Sequence, residues 1–202
     1  MNDLFADKNT CHNIVLPDAE ISYYPYFFDQ TEADHYLNEL ISQVAWSQQT
    51  INLYGKTHKI PRLSAWYADA GKSYEYSGLR SEGLPWLAIL TEIKQRIKTV
   101  CSAEFNGVLA NRYRNGADGV GWHADDEPEL GRNPVIASLS FGAKRNFQLK
   151  HKRDKSQKQS IILAHGSLLI MQAETQHHWL HQIAKTTRHM DERVNLTFRL
   201  VK

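Results

Sequence analysis

The chain has 202 residues, 42% hydrophobic, 10% aromatic and 23% charged, with a formal net charge of +2. That is enough apolar material for one sizeable core and one domain, and it excludes a disordered chain, a collagen-like or coiled-coil fibre, and a helical membrane protein, because no apolar run approaches the roughly 20 residues needed to span a bilayer. The two cysteines, Cys11 and Cys101, are too few and too far apart for a disulfide framework or a thiolate metal site; with no export-like N-terminal segment, the expected compartment is the cytoplasm.

In chain order, the first predicted element is a helix beginning near Thr31, where Thr31 and Asp34 make a capping-box-like start and Tyr36, Leu37, Leu40, Ile41 and Val44 share a face. Residues 50–76 mix β-formers with Gly and Pro and read as hairpins whose tips are rich in Tyr, Trp, Lys and Arg. A second helix is expected to open at Pro85 and to carry Leu90, Ile93, Ile97 and Val100 inward. After residue 106 the pattern is strand-like: VLANRY, VGWHAD, PVIASLSFG, RNFQLK, SIILA, GSLLIM, HHWLHQI and RVNLTFRL. About eight short strands in under 100 residues imply a sandwich or barrel. The fold class is therefore α+β, a double-stranded β-helix or jelly roll with two helices laid on it. The expected organisation is one domain over 1–202, with helices and hairpins in 1–105 and the jelly-roll core in 106–202.

Charge is uneven along this chain. Residues 142–160 carry seven Lys and Arg against one acid, Asp154, so the remainder is net acidic. A solvated polar loop is the plain reading of such a run; contact with a phosphate backbone is the other.

Three segments carry candidate chemistry. In the last strand, Arg193, Asn195, Thr197 and Arg199 fall on one face and Val194, Leu196, Phe198 and Leu200 on the other. Read alone, the polar face meets solvent. If it lines a barrel interior, its two guanidiniums are desolvated without an acid on their own strand, and an anionic ligand would satisfy them. Their Cα atoms would lie about 20 Å apart, so the two head groups could reach opposite ends of a small dicarboxylate. Leu109, Asn111 and Tyr113 likewise share a face and offer neutral hydrogen-bonding groups suited to a carboxylate. His123-Ala124-Asp125 would point an imidazole and a carboxylate the same way on a strand, yet with 10 histidines in the chain an H-x-D alone is commonplace. Gln176-His177-His178-Trp179-Leu180-His181 offers the distant second histidine. Such histidines can simply pack or titrate; two His and one Asp on Fe(II) would instead leave three adjacent positions for a bidentate co-substrate and O2.

The ordered blocks N-R-Y at 111–113, G-W-H-A-D-D-E-P-E-L-G at 121–131, I-A-S-L-S-F-G-A at 136–143, A-H-G-S-L-L-I-M at 164–171, H-W-L-H at 178–181 and R-V-N-L-T-F-R at 193–199 resemble the AlkB family of Fe(II)- and 2-oxoglutarate-dependent dioxygenases. They cover about 90 residues, with weaker similarity at P-R-L-S-A-W-Y (61–67) and Y-E-Y-S-G (74–78), and H-x-D-D-E is closest to the eukaryotic-type nucleic-acid demethylases. The resemblance implies His123, Asp125 and His181 as iron ligands, with His178 near the site or structural and His177 neither. It implies Asn111, Tyr113 and Arg193 on the distal carboxylate of 2-oxoglutarate, and Asn195 and Arg199 by its carboxylate and keto end. The implied cofactors are Fe(II), 2-oxoglutarate as co-substrate and O2; the implied reaction is oxidative demethylation of N1-methyladenine and N3-methylcytosine, releasing succinate, CO2 and formaldehyde.

Substrate residues follow from the same resemblance. Tyr76 would stack on a flipped base opposite His123, with Trp66, Asp126 and Glu127 near a base whose positive charge an aromatic face and a carboxylate favour. For Asp126 and Glu127 a solvated loop is an equal reading. Tyr54, in the tip Leu53-Tyr54-Gly55-Lys56, would be a wedge in the base stack or a surface ring for single strands. Lys56, Arg62, Lys144, Arg145, Lys150, Lys152 and Arg153 would be nucleic-acid contacts. L-Y-G-K is similar to relatives that act on duplexes, P-R-L-S-A-W-Y to those that take single strands and RNA, so the two cues point opposite ways. The expected partner is DNA carrying alkylated bases, with RNA as the alternative, met by a monomer without a membrane. Two other readings remain: the same iron chemistry on a protein side chain, and a catalytically silent jelly roll that binds nucleic acid. The second would be favoured if a triad residue were missing, and none is.

Overall fold

The computed structural model describes residues 10–53, 56–76 and 79–202. The chain opens on a hairpin absent from the sequence reading, β1 (His12–Leu16) and β2 (Ala19–Tyr24), turned at Pro17-Asp18 with Asp18 at a φ of 55°. Helix α1 spans Gln30–Gln43, and its cap is Asp29 rather than Thr31. The Asp29 carboxylate accepts from the Glu32 N–H at 2.9 Å, and Glu32 accepts from the Asp29 N–H at 3.1 Å. The D-x-x-E box satisfies two orphan donors at once, which places the start two residues before the expected one. Ala33, Tyr36 and Leu40 are buried on its inner face.

Next come β3 (Thr50–Leu53) and β4 (Lys56–Lys59), β5 (Leu63–Ala68), and β6 (Ser73–Tyr76) with β7 (Leu79–Glu82). Helix α2 (Ala88–Ile97) starts three residues after Pro85. Trp86 holds the approach extended: its ring stacks at 6.3 Å on Phe198 and its Nε1 donates to Asp69 at 2.7 Å. Ile89, Leu90, Ile93 and Ile97 are buried, whereas Val100 lies past the helix end. The second half supplies β8 (Gly107–Tyr113), β9 (Val120–His123), β10 (Ile136–Gly142), β11 (Arg145–His151), β12 (Lys158–Leu163), β13 (Ser167–Gln172), β14 (Trp179–Ile183) and β15 (Arg193–Arg199). Two expected strands are shorter than the pattern suggested. β9 stops before Asp125, and a single turn, α3 (Thr175–His178), takes His177 and His178 off the strand that carries His181.

All pairs of the named strands are antiparallel: a seven-stranded sheet of order β1-β2-β13-β10-β15-β8-β5 faces a four-stranded sheet of order β12-β11-β14-β9, and β3-β4 and β6-β7 are separate two-stranded hairpins. This is the jelly roll, and β1, β2 and β5 from the first half extend its larger sheet. No helix among the described residues is long and apolar enough to cross a membrane.

Strand alternation divides the interior in two. Ala137, Leu139 and Phe141 of β10 and Val194, Leu196 and Phe198 of β15 join α1 and α2 in one core. The opposite faces of the same strands look between the sheets, where Phe147, Leu149, Ile161, Leu163, Met171 and Trp179 form a second core. Ser138, Ser140, Arg193, Asn195, Thr197 and Arg199 are also buried on that side. The polar face of β15 is therefore lined by protein, not water.

Candidate active site

Three neighbouring strands build the polar end of the sheet interior. Register sets Arg193 opposite Tyr113, Asn195 between Asn111 and Ser140, and Thr197 between Leu109 and Ser138. Asn195 donates to Ser138 Oγ at 2.9 Å and to the Leu139 carbonyl at 2.7 Å, and its own carbonyl accepts from Thr197 at 3.1 Å. Arg62, expected among the nucleic-acid contacts, is instead 6% exposed and its Nε donates to Asn111 Oδ1 at 2.8 Å.

Arg193 is 1% exposed. One Nη donates to Ser140 Oγ at 3.0 Å and the guanidinium lies 5.0 Å from the Tyr113 ring centroid, but Nε and the other Nη are buried without a hydrogen-bond partner. Burial pushes its pKa down, with Tyr113 opposing. A guanidinium kept dry beside a phenol, an amide and two serines is a cradle for a carboxylate. The residues present fit 2-oxoglutarate on that ground.

The candidate metal donors meet at the β9–β14 pair. His123 and His181 are direct cross-strand partners, and the candidate ligand atoms of His123, Asp125 and His181 all lie within 4.8 Å of one another. His123 Nδ1 is 2.9 Å from the Gly121 carbonyl. A carbonyl only accepts, so Nδ1 carries the ring proton and Nε2 presents its lone pair, the tautomer a metal ligand needs. Asp125 lies beyond the strand, and the buried Gln176 holds it by accepting from its backbone N–H at 2.9 Å. Asp125 Oδ1 accepts from Arg199 at 2.6 Å, while Oδ2 faces His181 Nε2 at 3.9 Å.

Electrostatics keeps all three in ligating form. Burial would raise the Asp125 carboxyl, but Arg199 and the two imidazoles outweigh it and hold it at about 2. Burial, then the neighbouring His123, pushes His181 down to about 3; burial likewise depresses His123. One ionised carboxylate and two neutral imidazoles fit Fe(II). A second trio, Asp18, His151 and His178, is equally close. There the Asp154 N–H donates to His151 Nδ1 at 2.9 Å, which leaves the proton on Nε2 and its lone pair unavailable to a metal.

The structure distributes the remaining expected residues as follows. Arg145 is not a surface contact: it is 5% exposed and donates to the Asp118 and Ala184 carbonyls at 3.0 and 2.8 Å. Trp66 is buried and does not line the pocket around the donors; its ring closes over Gly107, where a Cβ would come within 2.2 Å. Asp126 is exposed and Glu127 half-buried. Lys152 donates to Asp126 Oδ2 at 2.8 Å and to the Gln176 carbonyl at 2.9 Å, tying the basic hairpin to the metal loop. Lys144, in the turn before β11, and Arg153, in the turn after it, are exposed, and Lys150 on β11 is half-exposed. Tyr54 lies outside the described residues, as do the side chains of Lys56 and Tyr76. Gln176, Ser138 and Ser140 were not singled out from sequence. The serines had a signal, since alternation along β10 puts them opposite Ala137, Leu139 and Phe141.

A sequence model of the 2OG-Fe(II) oxygenase superfamily matches residues 20–199. The chain is 42% identical over 207 residues to "Alpha-ketoglutarate-dependent dioxygenase alkB homolog 3" of Homo sapiens, covering 96% of this chain and 72% of that protein. It is 40% identical over 188 residues to "DNA oxidative demethylase ALKBH2" of Homo sapiens, covering 88% and 72%, and 34% identical over 209 residues to the protein of the same name in Arabidopsis thaliana, covering 91% and 67%. Among solved structures, that of OsALKBH1 superposes with a TM-score of 0.61 at 16% identity, covering 92% of this chain and 99% of that one, a likeness of fold.

Proposed function

The chain belongs to the AlkB family of the 2OG-Fe(II) oxygenase superfamily and is a dioxygenase that uses Fe(II), 2-oxoglutarate and O2; from that premise we propose that it removes N-alkyl groups from nucleic-acid bases, N1-methyladenine and N3-methylcytosine in DNA foremost. The buried guanidinium of Arg193, unpaired by any acid and aimed into the same pocket as His123, Asp125 and His181, is the observation that carries the reading. A silent nucleic-acid-binding protein would have no use for a dry, uncompensated cation beside three metal donors in ligating form.

His123, Asp125 and His181 would hold iron, and Arg193, Asn111 and Tyr113 the distal carboxylate of 2-oxoglutarate, with Asn195 and Arg199 toward its other end. When bound, iron, the 2-oxo acid and O2 supply the oxidation that hydroxylates the N-methyl carbon, after which succinate, CO2 and formaldehyde leave and the base is restored. The chain's own residues prepare that event. Gly121 fixes the His123 ring by accepting its Nδ1 proton. Arg199 occupies one oxygen of Asp125, keeping the carboxylate charged and turning the other oxygen to the pocket. The apolar walls Leu109, Phe147, Leu163, Met171 and Ile183 exclude water, which strengthens each of these interactions. Asp126 and Glu127, next in sequence to the metal-ligand loop, favour a cationic alkylated base over a neutral one, and the base reaches the pocket by flipping or from a single strand.

The test is anaerobic reconstitution with Fe(II) and 2-oxoglutarate, exposure to air, and mass spectrometry of matched single- and double-stranded DNA and RNA oligomers carrying one N1-methyladenine. Loss of the methyl group from DNA, abolished in His181→Ala, is expected. Turnover of 2-oxoglutarate with every oligomer left methylated would overturn the substrate and leave the iron site standing.

A further inference from the structure

The outer face of the four-stranded sheet carries a second basic feature that the iron site does not use. Trp122 is 39% exposed on β9, and the Lys150 ammonium sits 4.3 Å from its ring centroid. Lys150 and Lys158 are direct cross-strand partners on β11 and β12. Like charges opposite one another destabilise a sheet, and no ion pair to either lysine occurs among the described residues. Together with Gln148, Gln159 and Ser160 these three side chains line a groove of about 570 Å³, and no acidic residue lines it.

We propose that this groove is a binding track for single-stranded nucleic acid, with a base stacked on Trp122 and phosphates on Lys150 and Lys158. Two ammonium groups without an ion pair among the described residues call for an anion, and the partly exposed indole under one of them offers a flat ring to stack on, a combination that a nucleic-acid strand satisfies in one molecule. A base arriving on Trp122 displaces the Lys150 ammonium from the ring, and the phosphate beside that base receives it. The occupant is single-stranded because the base faces of a duplex are covered by their own neighbours. Four strands at about 4.8 Å spacing give a track of about 14 Å, room for a few nucleotides at about 3.4 Å per stacked base. Its place is also telling. β9 is the edge strand of its sheet, and Trp122 adjoins the metal-site residue His123 on the opposite face. A strand passing from the iron pocket over this edge meets Trp122 first. The inference rests on the nucleic-acid reading of the iron site and adds a second contact surface to it.

The test is fluorescence anisotropy of labelled, unmodified oligothymidylate, and of a blunt duplex of matched length, with the full chain and its variants. Trp122→Ala is expected to weaken single-strand binding about tenfold while leaving duplex binding unchanged, with Trp122→Phe retaining most of the affinity. Lys158→Ala, on an exposed strand position, is expected to fold regardless and to lower the slope of log affinity against log salt by about 0.7. Equal single-strand affinity in Trp122→Ala and the unchanged protein, or equal losses on both oligomers, overturns the track. An unmodified strand asks nothing of the iron site, so failure of demethylation with these binding differences intact would count against the proposed reaction alone.

Discussion

At the scale of single residues, the charges of the site differ in whether an opposite charge answers them, and that difference decides what the loss of each does. Arg199 compensates the buried Asp125. Arg199→Met leaves that carboxylate alone in the interior and is expected to destabilise the metal-free protein by about 3–5 kcal/mol in urea unfolding. Arg193→Met removes a buried cation that has no acid to answer, so the expected sign is opposite: unchanged or greater stability, with 2-oxoglutarate affinity falling about a hundredfold by calorimetry, about 2.7 kcal/mol. Gln176→Ala frees the Asp125 backbone and is expected to weaken Mn(II) or Fe(II) binding about 10- to 100-fold with the fold intact, as read by metal titration. Period-2 alternation makes β15 legible in the amino-acid order alone, because four polar and four apolar residues can separate in only one way on a strand. Gln176 was not legible, since its value lies in one hydrogen bond to a residue far along the chain. Arg62 and Arg145 misled for a related reason: composition counts a guanidinium as surface charge, while only three-dimensional placement shows an amide or a carbonyl receiving it.

Elements were legible where periodicity is long and ambiguous where it is short. The faces of α1 and α2 and the strands that follow residue 106 follow from spacing, whereas their ends depend on caps and single contacts. Asp29 took the cap expected at Thr31 because it completes a box with Glu32; Asp29→Ala is expected to cost about 1 kcal/mol in thermal unfolding. HHWLHQI looked like one strand, yet its first two residues close a helical turn. The loop between β8 and β9 depends on Asp118, which is buried and accepts from the Arg114 backbone N–H at 2.9 Å and its guanidinium at 2.8 and 2.9 Å. Burial would raise its pKa, and these bonds hold it below the ordinary value. A carboxyl depressed in the folded state contributes its stability above the unfolded pKa near 3.8, and that contribution is lost as pH falls through the lower folded value. Asp118→Asn is therefore expected to lower stability by about 2 kcal/mol at neutral pH and to shrink that difference in the most acidic denaturation series.

At the scale of the whole molecule, the jelly roll was legible from strand count and the N-terminal hairpin was not, because its partner β13 lies at the other end of the sequence. The hairpin does more than lengthen the sheet. The Glu20 N–H donates to Thr175 Oγ1 at 2.9 Å, the Trp179 ring N–H donates to the Pro17 carbonyl at 2.8 Å, and the Tyr23 hydroxyl bridges the Ile162 carbonyl and the Ala164 N–H. The first two of these grip the segment that carries Gln176 and His181, and the Tyr23 pair holds the end of β12. The same architecture governs the order of events as the protein folds. His123 and His181 face one another only through the β9–β14 pairing, at the free edge of the smaller sheet. That pairing joins segments separated by β10 to β13, so it carries a loop-closure cost that no local contact offsets, and the unfolded chain holds the two imidazoles apart until the pairing forms. Tight metal capture thus waits on closure of the smaller sheet, and the rate at which a refolding sample acquires metal becomes a clock for the docking of β9 against β14.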